Sequence, residues 1–449
     1  MKKYLFLVLL FSLLPAKITV DPDKAGLSKI RLQRLNRTMH DLVDQNKIAG
    51  VQTAIIRNGN IGHYDTYGFS DINNKKPLND DSIFRIYSMT KPIVSVALMM
   101  LYEEGKFLLT DPVYKYIPEF KNLKVQSTLL PNRILKSEKW SIWPFNKIKY
   151  VRKAREPMLI IDLLRHTSGL GYGWGPNTYV DRKYNKAKIL NRKNNKDFIR
   201  ELSSLPLYHE PGSGWRYGVS TDVCGYLIEV LSGQNLDEFL TDRIFKPLNM
   251  PDTHFQLPSK KIERFTSNYI NNIPKRLRKL AKIFGISFNP DNGLMVVDHA
   301  DSSEFSKNVT FLSGGGGLIS TSNDYIQFCK MILNKGELDG KRILSPKTIE
   351  FMMEDHLKFI ENKGGSITLP NNGTGFGIGF SVVKDNAEKK ILGSEGTVGW
   401  EGVAGTYFGI DPKENMIFIL MIQLIDFNDL EISNRFKTMV YQSIVENLD

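Results

Sequence analysis

The chain has 449 residues, 41% of them hydrophobic and 24% charged. That is apolar mass for one large or two ordinary domains, and it excludes a disordered or repeat-built protein. The formal charge is +12, but no nucleic-acid-binding motif accompanies it. With seven histidines and two cysteines in no metal-ligand spacing, the sequence calls for no metal and no cofactor, and Cys224 and Cys329 read as free buried thiols.

Met1-Lys2-Lys3 followed by the apolar run Tyr4 to Leu14 reads as a secretory signal over 1–17, with an uncleaved N-terminal anchor as the alternative. The protein is then exported, to the periplasm or beyond. Ala25 to Asn46 carries apolar residues at helical spacing (Leu32, Leu35, Met39, Leu42, Val43). Val51–Arg57 and Ile61–Tyr67 flank Asn58-Gly59, a strong hairpin signal.

Ser88-Met89-Thr90-Lys91 then opens a long apolar stretch that predicts a buried helix from near Ser88 to Glu104, with Gly105 just past its end. At an i, i+3 spacing Ser88 and Lys91 share one helix face. A serine hydroxyl is a poor nucleophile until a base takes its proton, and a lysine at a buried helix start can be that base. Lys91 precedes Pro92, which disfavours helical angles, although proline is tolerated in a first turn. The pattern recurs at Ser381-Val382-Val383-Lys384, inside a stretch that reads as a strand, where the two side chains would face opposite ways.

Leu109–Val113 and Ile117–Phe120 read as extended or turn-like, and 121–156 as an irregular basic stretch holding Trp140, Trp143 and Phe145. The basic runs 147–155, 181–183 and 275–279 are a solvated surface, or a peripheral contact with an anionic membrane surface or an acidic substrate. Leu159–Leu170 predicts a short helix capped by Gly169. His166, at its end, is expected to bond to backbone rather than to act as a base. A helix is expected over 195–204. Pro211-Gly212 turns the chain to place Trp215 and Tyr217 on a loop, after which Ser220 or Thr221 caps a helix ending at Gly233. A loop tyrosine is ordinarily packing; beside an ammonium its phenol can serve as acid or base.

Ser313-Gly314-Gly315-Gly316-Gly317 lacks the Gly-Lys-Ser/Thr ending of a phosphate loop, which argues against nucleotide binding. Helices are expected over Thr321–Leu333 and Lys347–Asp355. Strands are expected over Gly375–Val383, Trp400–Ile410 and Met416–Ile422, and a closing helix over Leu430–Leu448. The fold class is α+β: one antiparallel sheet built from both chain ends (18–110 and 311–449), flanked by helices, with an inserted mostly helical region over 111–310.

Leu163 to Leu170, Pro211-Gly212 leading to Tyr217, Thr221-Asp222-Val223, Ser313 to Leu318 and Gly405-Thr406-Tyr407-Phe408 follow Ser88–Lys91 in an order that resembles the serine β-lactamase-like superfamily. Within it the chain is most similar to the class C β-lactamase-related (family VIII) carboxylesterases and a related acyltransferase. The resemblance spans nearly all of the chain from Ala25 on and implies the β-lactamase/transpeptidase fold. It implies that Ser88 is the nucleophile, Lys91 its base and Tyr217 the tyrosine of the Tyr-x-Asn motif that moves protons. Trp400-Glu401-Gly402 falls where penicillin-recognising members carry Lys-Thr-Gly and esterases Trp-Gly-Gly. By that match the N–H groups of Ser88 and Val403 form an oxyanion hole, with Trp400 and Gly402 beside the substrate.

Val219 in place of the asparagine and Trp400 in place of the lysine point to an ester rather than an antibiotic. The expected activity is a serine hydrolase acting on small-molecule esters or acyl compounds through an acyl-enzyme. A transacylase, a D-amino acid peptidase, a β-lactamase and an inactive binding homologue are the alternatives. Glu401 either repels anionic acids or faces solvent, and oligomeric state is open.

Overall fold

The computed structural model describes residues 18–129, 148–175, 178–271, 293–360, 373–425 and 430–446. The signal over 1–17, the aromatics Trp140, Trp143 and Phe145 and the basic run 275–279 lie outside the described residues.

An antiparallel sheet organises the molecule. Its strands are β1 (Gly50–Arg57), β2 (Asn60–Asp71), β3 (Lys76–Pro77), β4 (Thr374–Phe376), β5 (Ser381–Val383), β6 (Val398–Glu401), β7 (Tyr407–Asp411) and β8 (Met416–Met421). They lie in the order β4-β5-β6-β7-β8-β1-β2-β3, so the centre of the sheet joins the two ends of the chain. The β1–β2 hairpin turns at Asn58 (φ 52°) and Gly59 (φ 73°), the paired left-handed angles that Asn-Gly supplies at low cost.

Both β1 and β8 are buried along their whole length, because each face of the sheet is covered. Val51, Ile55, Phe418 and Leu420 meet Leu35 and Met39 of α1 (Lys29–Asp44) and Phe436 of α6 (Ile432–Tyr441) in one cluster. Ala54, Ile56, Ile417 and Ile419 point the other way, into a cluster that includes α2 (Thr90–Glu103), α3 (Ile160–Leu164), α4 (Ser220–Ser232) and α5 (Ser322–Leu333). Arg57, 1% exposed, ties the chain ends together: its guanidinium pairs with Glu414 at 2.7 Å and donates to the carbonyls of Ala25, Gly26 and Glu446. Among the described residues no helix is long and apolar enough to cross a membrane.

Several local expectations are corrected. Gly375–Val383 is two strands, β4 and β5, paired with each other, with Gly379 at φ 90° in the turn. Trp400–Ile410 is likewise divided, into β6 and β7, by the turn Gly402–Gly405. The basic stretch 121–156 is not irregular at its flanks, since Lys124–Leu129 pairs antiparallel with Ile148–Lys153. The helix expected to reach Gly169 ends at Leu164 with Arg165 as its cap, because His166 itself takes the left-handed angle (φ 59°). Ser220 does not cap α4; it is the first helical residue, and its hydroxyl bonds to Ser168 at 2.8 Å.

Candidate active site

A single turn of 3₁₀-helix, Tyr87–Met89, runs into α2 and carries Ser88 at the edge of the buried core. Tyr87 has φ 41°, a left-handed angle that costs a non-glycine residue roughly 1–3 kcal/mol. Surrounding bonds hold it there. Ile86 N–H donates to Leu318 O at 3.2 Å, Asn268 Nδ2 to the Tyr87 hydroxyl at 3.0 Å and the Tyr325 hydroxyl to Met89 O at 2.8 Å. Because α2 begins at Thr90, Pro92 falls among the first N–H groups, which have no partner within a helix, so the proline breaks no bond.

Lys91, fully buried, lies one turn beyond Ser88. Its Nζ is 3.2 Å from Ser88 Oγ, 2.9 Å from the Tyr172 hydroxyl and 2.5 Å from Gly315 O. Those three partners match the three hydrogens of an ammonium. A neutral amine would keep two of the contacts as donor and turn its lone pair toward the serine. Nζ also lies 4.6 Å from the centroid of the Tyr217 ring.

The Tyr217 hydroxyl accepts from Trp400 Nε1 at 3.2 Å. Trp400 packs against Phe376 at 5.2 Å between centroids, and Trp174, half-exposed, stacks on Tyr172 at 4.4 Å and 22°. Among the described residues, the rings of Tyr172, Trp174, Tyr217, Phe376 and Trp400 thus form one aromatic group beside Lys91. Burial, with Tyr217 and Asp222 adding to it, pushes the Tyr172 phenol well above its usual range, so it keeps its proton.

Gly402 sits against the Ser88 turn. A Cβ there would come within 2.6 Å of Ile86 O, and Thr406 Oγ1 donates to the same carbonyl at 3.4 Å. The end of β6, with Val403 41% exposed just after it, is therefore held beside the nucleophile. Glu401 lies on the opposite side of the strand from Trp400, with Ser433 Oγ at 3.4 Å from its carboxylate.

His166 is fully buried. It departs from expectation: neither ring nitrogen has a hydrogen-bond partner, and only its backbone is used, the N–H donating to Leu163 O at 3.4 Å and the carbonyl accepting from Arg216 N–H at 2.9 Å. Burial, and then the charge of Lys91, hold the imidazole well below its ordinary pKa. A neutral ring packed 5.1 Å from Tyr217 is a wall, not a base. The second Ser-x-x-Lys copy is built into the sheet, Ser381 in β5 with its Oγ on Gly399 O at 2.8 Å and Lys384 just after it paired with Asp355 at 3.3 Å.

The structure brings Ser88, Lys91, Tyr217, Trp400, Gly402 and Val403 into one region. Sequence reasoning missed Tyr172, Asp222 and Gly315. The glycine run was the available signal: a run that is no phosphate loop marks a place where backbone approaches something closely. A Cβ on Gly315 would stand 2.3 Å from Asp222 Oδ2.

Comparison with known proteins follows from this geometry. Residues 35–435 match the family model described as Beta-lactamase. Protein Rv1367c of Mycobacterium tuberculosis is 30% identical over 390 residues, 86% of this chain and 88% of that protein. Esterase EstB of Burkholderia gladioli is 27% identical over 417 residues, 90% of this chain and 93% of that protein. Among solved structures, EstCE1, described as a hydrolase with promiscuous acyltransferase activity, superimposes with a TM-score of 0.71. It is 22% identical and covers 93% of this chain and 98% of its own.

Proposed function

We propose, for a chain that belongs to the β-lactamase family and is a serine hydrolase, that its substrate is a carboxylic ester and that Ser88 carries the acyl group. The carrying observation is the aromatic group that Trp400 forms with Tyr217 and Phe376. By resemblance, Trp400 stands where penicillin-recognising members hold a carboxylate with lysine, and here its indole N–H is engaged by Tyr217. The names of the relatives, an esterase and a hydrolase with acyltransferase activity, agree with that reading.

In this reading Lys91 reacts in its amine form. Its two N–H groups point at Gly315 O and Tyr172 Oη, and its lone pair faces the Ser88 hydroxyl. Ser88 Oγ attacks the ester carbonyl as Lys91 takes its proton. The carbonyl oxygen turns toward the N–H groups of Ser88 and Val403, a pairing supported by the packing of Gly402 on Ile86. The proton then passes, with Tyr217 at hand, to the departing alkoxide. Water attacks the acyl-enzyme by the reverse transfers; an alcohol in place of water gives a new ester.

The test is a series of p-nitrophenyl esters of increasing acyl length, run beside a cephalosporin and a peptide ending in D-alanyl-D-alanine. Ester turnover is expected to exceed the other two by orders of magnitude. Faster release of D-alanine, or faster opening of the β-lactam, overturns the assignment.

Trp400→Phe keeps a ring in the wall and removes the donor to Tyr217. With one such bond contributing about 0.5–1.5 kcal/mol, ester kcat/KM is expected to fall roughly two- to tenfold, and the melting temperature by no more than a few degrees.

A further inference from the structure

Asp222, in the first turn of α4, is the buried charge that the reaction scheme above leaves without a task. Its side chain is 2% exposed. Oδ1 accepts from Ser313 Oγ at 2.5 Å and from Gly315 N–H at 3.0 Å, while Oδ2 has no hydrogen-bond partner. The peptide that donates to Asp222 belongs to the same residue whose carbonyl accepts from Lys91 Nζ at 2.5 Å. A carboxylate buried without a hydrogen bond to one oxygen is costly unless a positive charge offsets it.

Among the described residues, few other titratable groups stand around the pair. Tyr172, Tyr217 and His166 face Lys91, and Cys224 and Tyr172 face Asp222. The phenol of Tyr172 and the thiol of Cys224 are pushed up by burial, and the imidazole of His166 is pushed down, so these three are neutral. Lys91 is the cation whose charge acts on Asp222, opposing the upward pull of burial on its carboxyl.

We propose that Asp222 is a positioning residue. Its carboxylate fixes the N–H side of Gly315, the residue whose carbonyl holds Lys91 Nζ, and it balances the positive charge Nζ gains when it takes the Ser88 proton. The balance is simple. Ser88 loses a proton and bonds to the acyl carbon, Lys91 becomes an ammonium against Asp222, and the proton leaves with the alcohol. Gly315 is required because any side chain there would strike the carboxylate.

This inference rests on the reading of Ser88 as nucleophile, so the readout is one that does not depend on the natural ester. The full chain is treated with a fluorophosphonate, which phosphonylates an activated serine with loss of fluoride, and the labelling rate is measured against pH. D222N keeps the side-chain shape and an acceptor for Ser313 and Gly315 while removing the charge. Without the counter-charge the ammonium gives up its proton more readily. The acid limb of the profile is therefore expected about one pH unit lower than in the wild type, with the plateau rate reduced roughly tenfold.

Asp222→Ser also removes the charge, and serves if the amide unsettles the fold; the same downward shift is expected. Ser313→Ala keeps the charge, and its limb is expected on the wild-type position. An unshifted limb in the charge-removing variants, or an equal shift in Ser313→Ala, overturns the proposal. Absence of labelling in the wild type overturns instead the nucleophile reading beneath it.

Discussion

Ser88→Ala is expected to lower ester turnover by about 10³–10⁶-fold and to abolish fluorophosphonate labelling. The loss is large because the other parts act only through Oγ. Lys91 has no other proton to take, and the acyl group has nowhere to bond. The fold should not notice. Ser88 is half-buried, and its hydroxyl makes a single bond, to Lys91 at 3.2 Å. Equal melting temperatures with lost activity would assign the effect to chemistry. Turnover equal to the wild type would remove Ser88 from the mechanism.

Lys91→Met is expected to cost about 10²–10⁴-fold in kcat/KM, the range of a positioned proton-transfer group. Methionine fills most of the lysine volume, but it leaves Gly315 O and Tyr172 Oη without their donor. It also strands Asp222. A stability loss of about 1–3 kcal/mol should therefore accompany the lost rate, read by denaturant unfolding. Adding D222N to Lys91→Met is expected to recover part of that loss, since the uncompensated carboxylate is then gone. A double variant no more stable than the single one would separate the two residues.

Much of the frame was legible because its signals are local. Asn58-Gly59 requires left-handed angles at both positions, and the hairpin formed there. The apolar run after Ser88 is too long and too uniformly apolar for a surface element, and its helix is buried on all sides. Serine and lysine one turn apart needed only that helix to meet.

The failures are equally physical. In Gly375–Val383 and Trp400–Ile410 the apolar alternation runs on through tight turns, so periodicity could not mark the breaks; Gly379 and Gly405, both at left-handed angles, were the marks to weigh. His166 took the left-handed cap position because the Asp162 carboxylate, bonded to Leu159 N–H and Thr167 Oγ1, closes the turn earlier than the glycine would. Tyr172 and Asp222 reach the site from segments far from Ser88 in the chain, and no spacing rule connects them. Trp400 and Tyr217 came through resemblance to a family, and only the structure shows the hydrogen bond between them.

The junction at the centre of the sheet has a consequence for how the protein is made. Strand β1 pairs on one side with its hairpin neighbour β2, and on the other with β8, whose register runs from Gln52 opposite Met421 to Arg57 opposite Met416. A ribosome completes β1 long before it reaches β8. Through most of synthesis a strand that is fully buried in the folded protein therefore has one open edge and nothing to close it. Such an edge invites pairing with other nascent chains, and closing so long a loop is slow. Folding must wait for the last segment of the chain, so the protein should depend on a holding chaperone, and truncations short of Met421 should aggregate rather than yield a smaller folded unit.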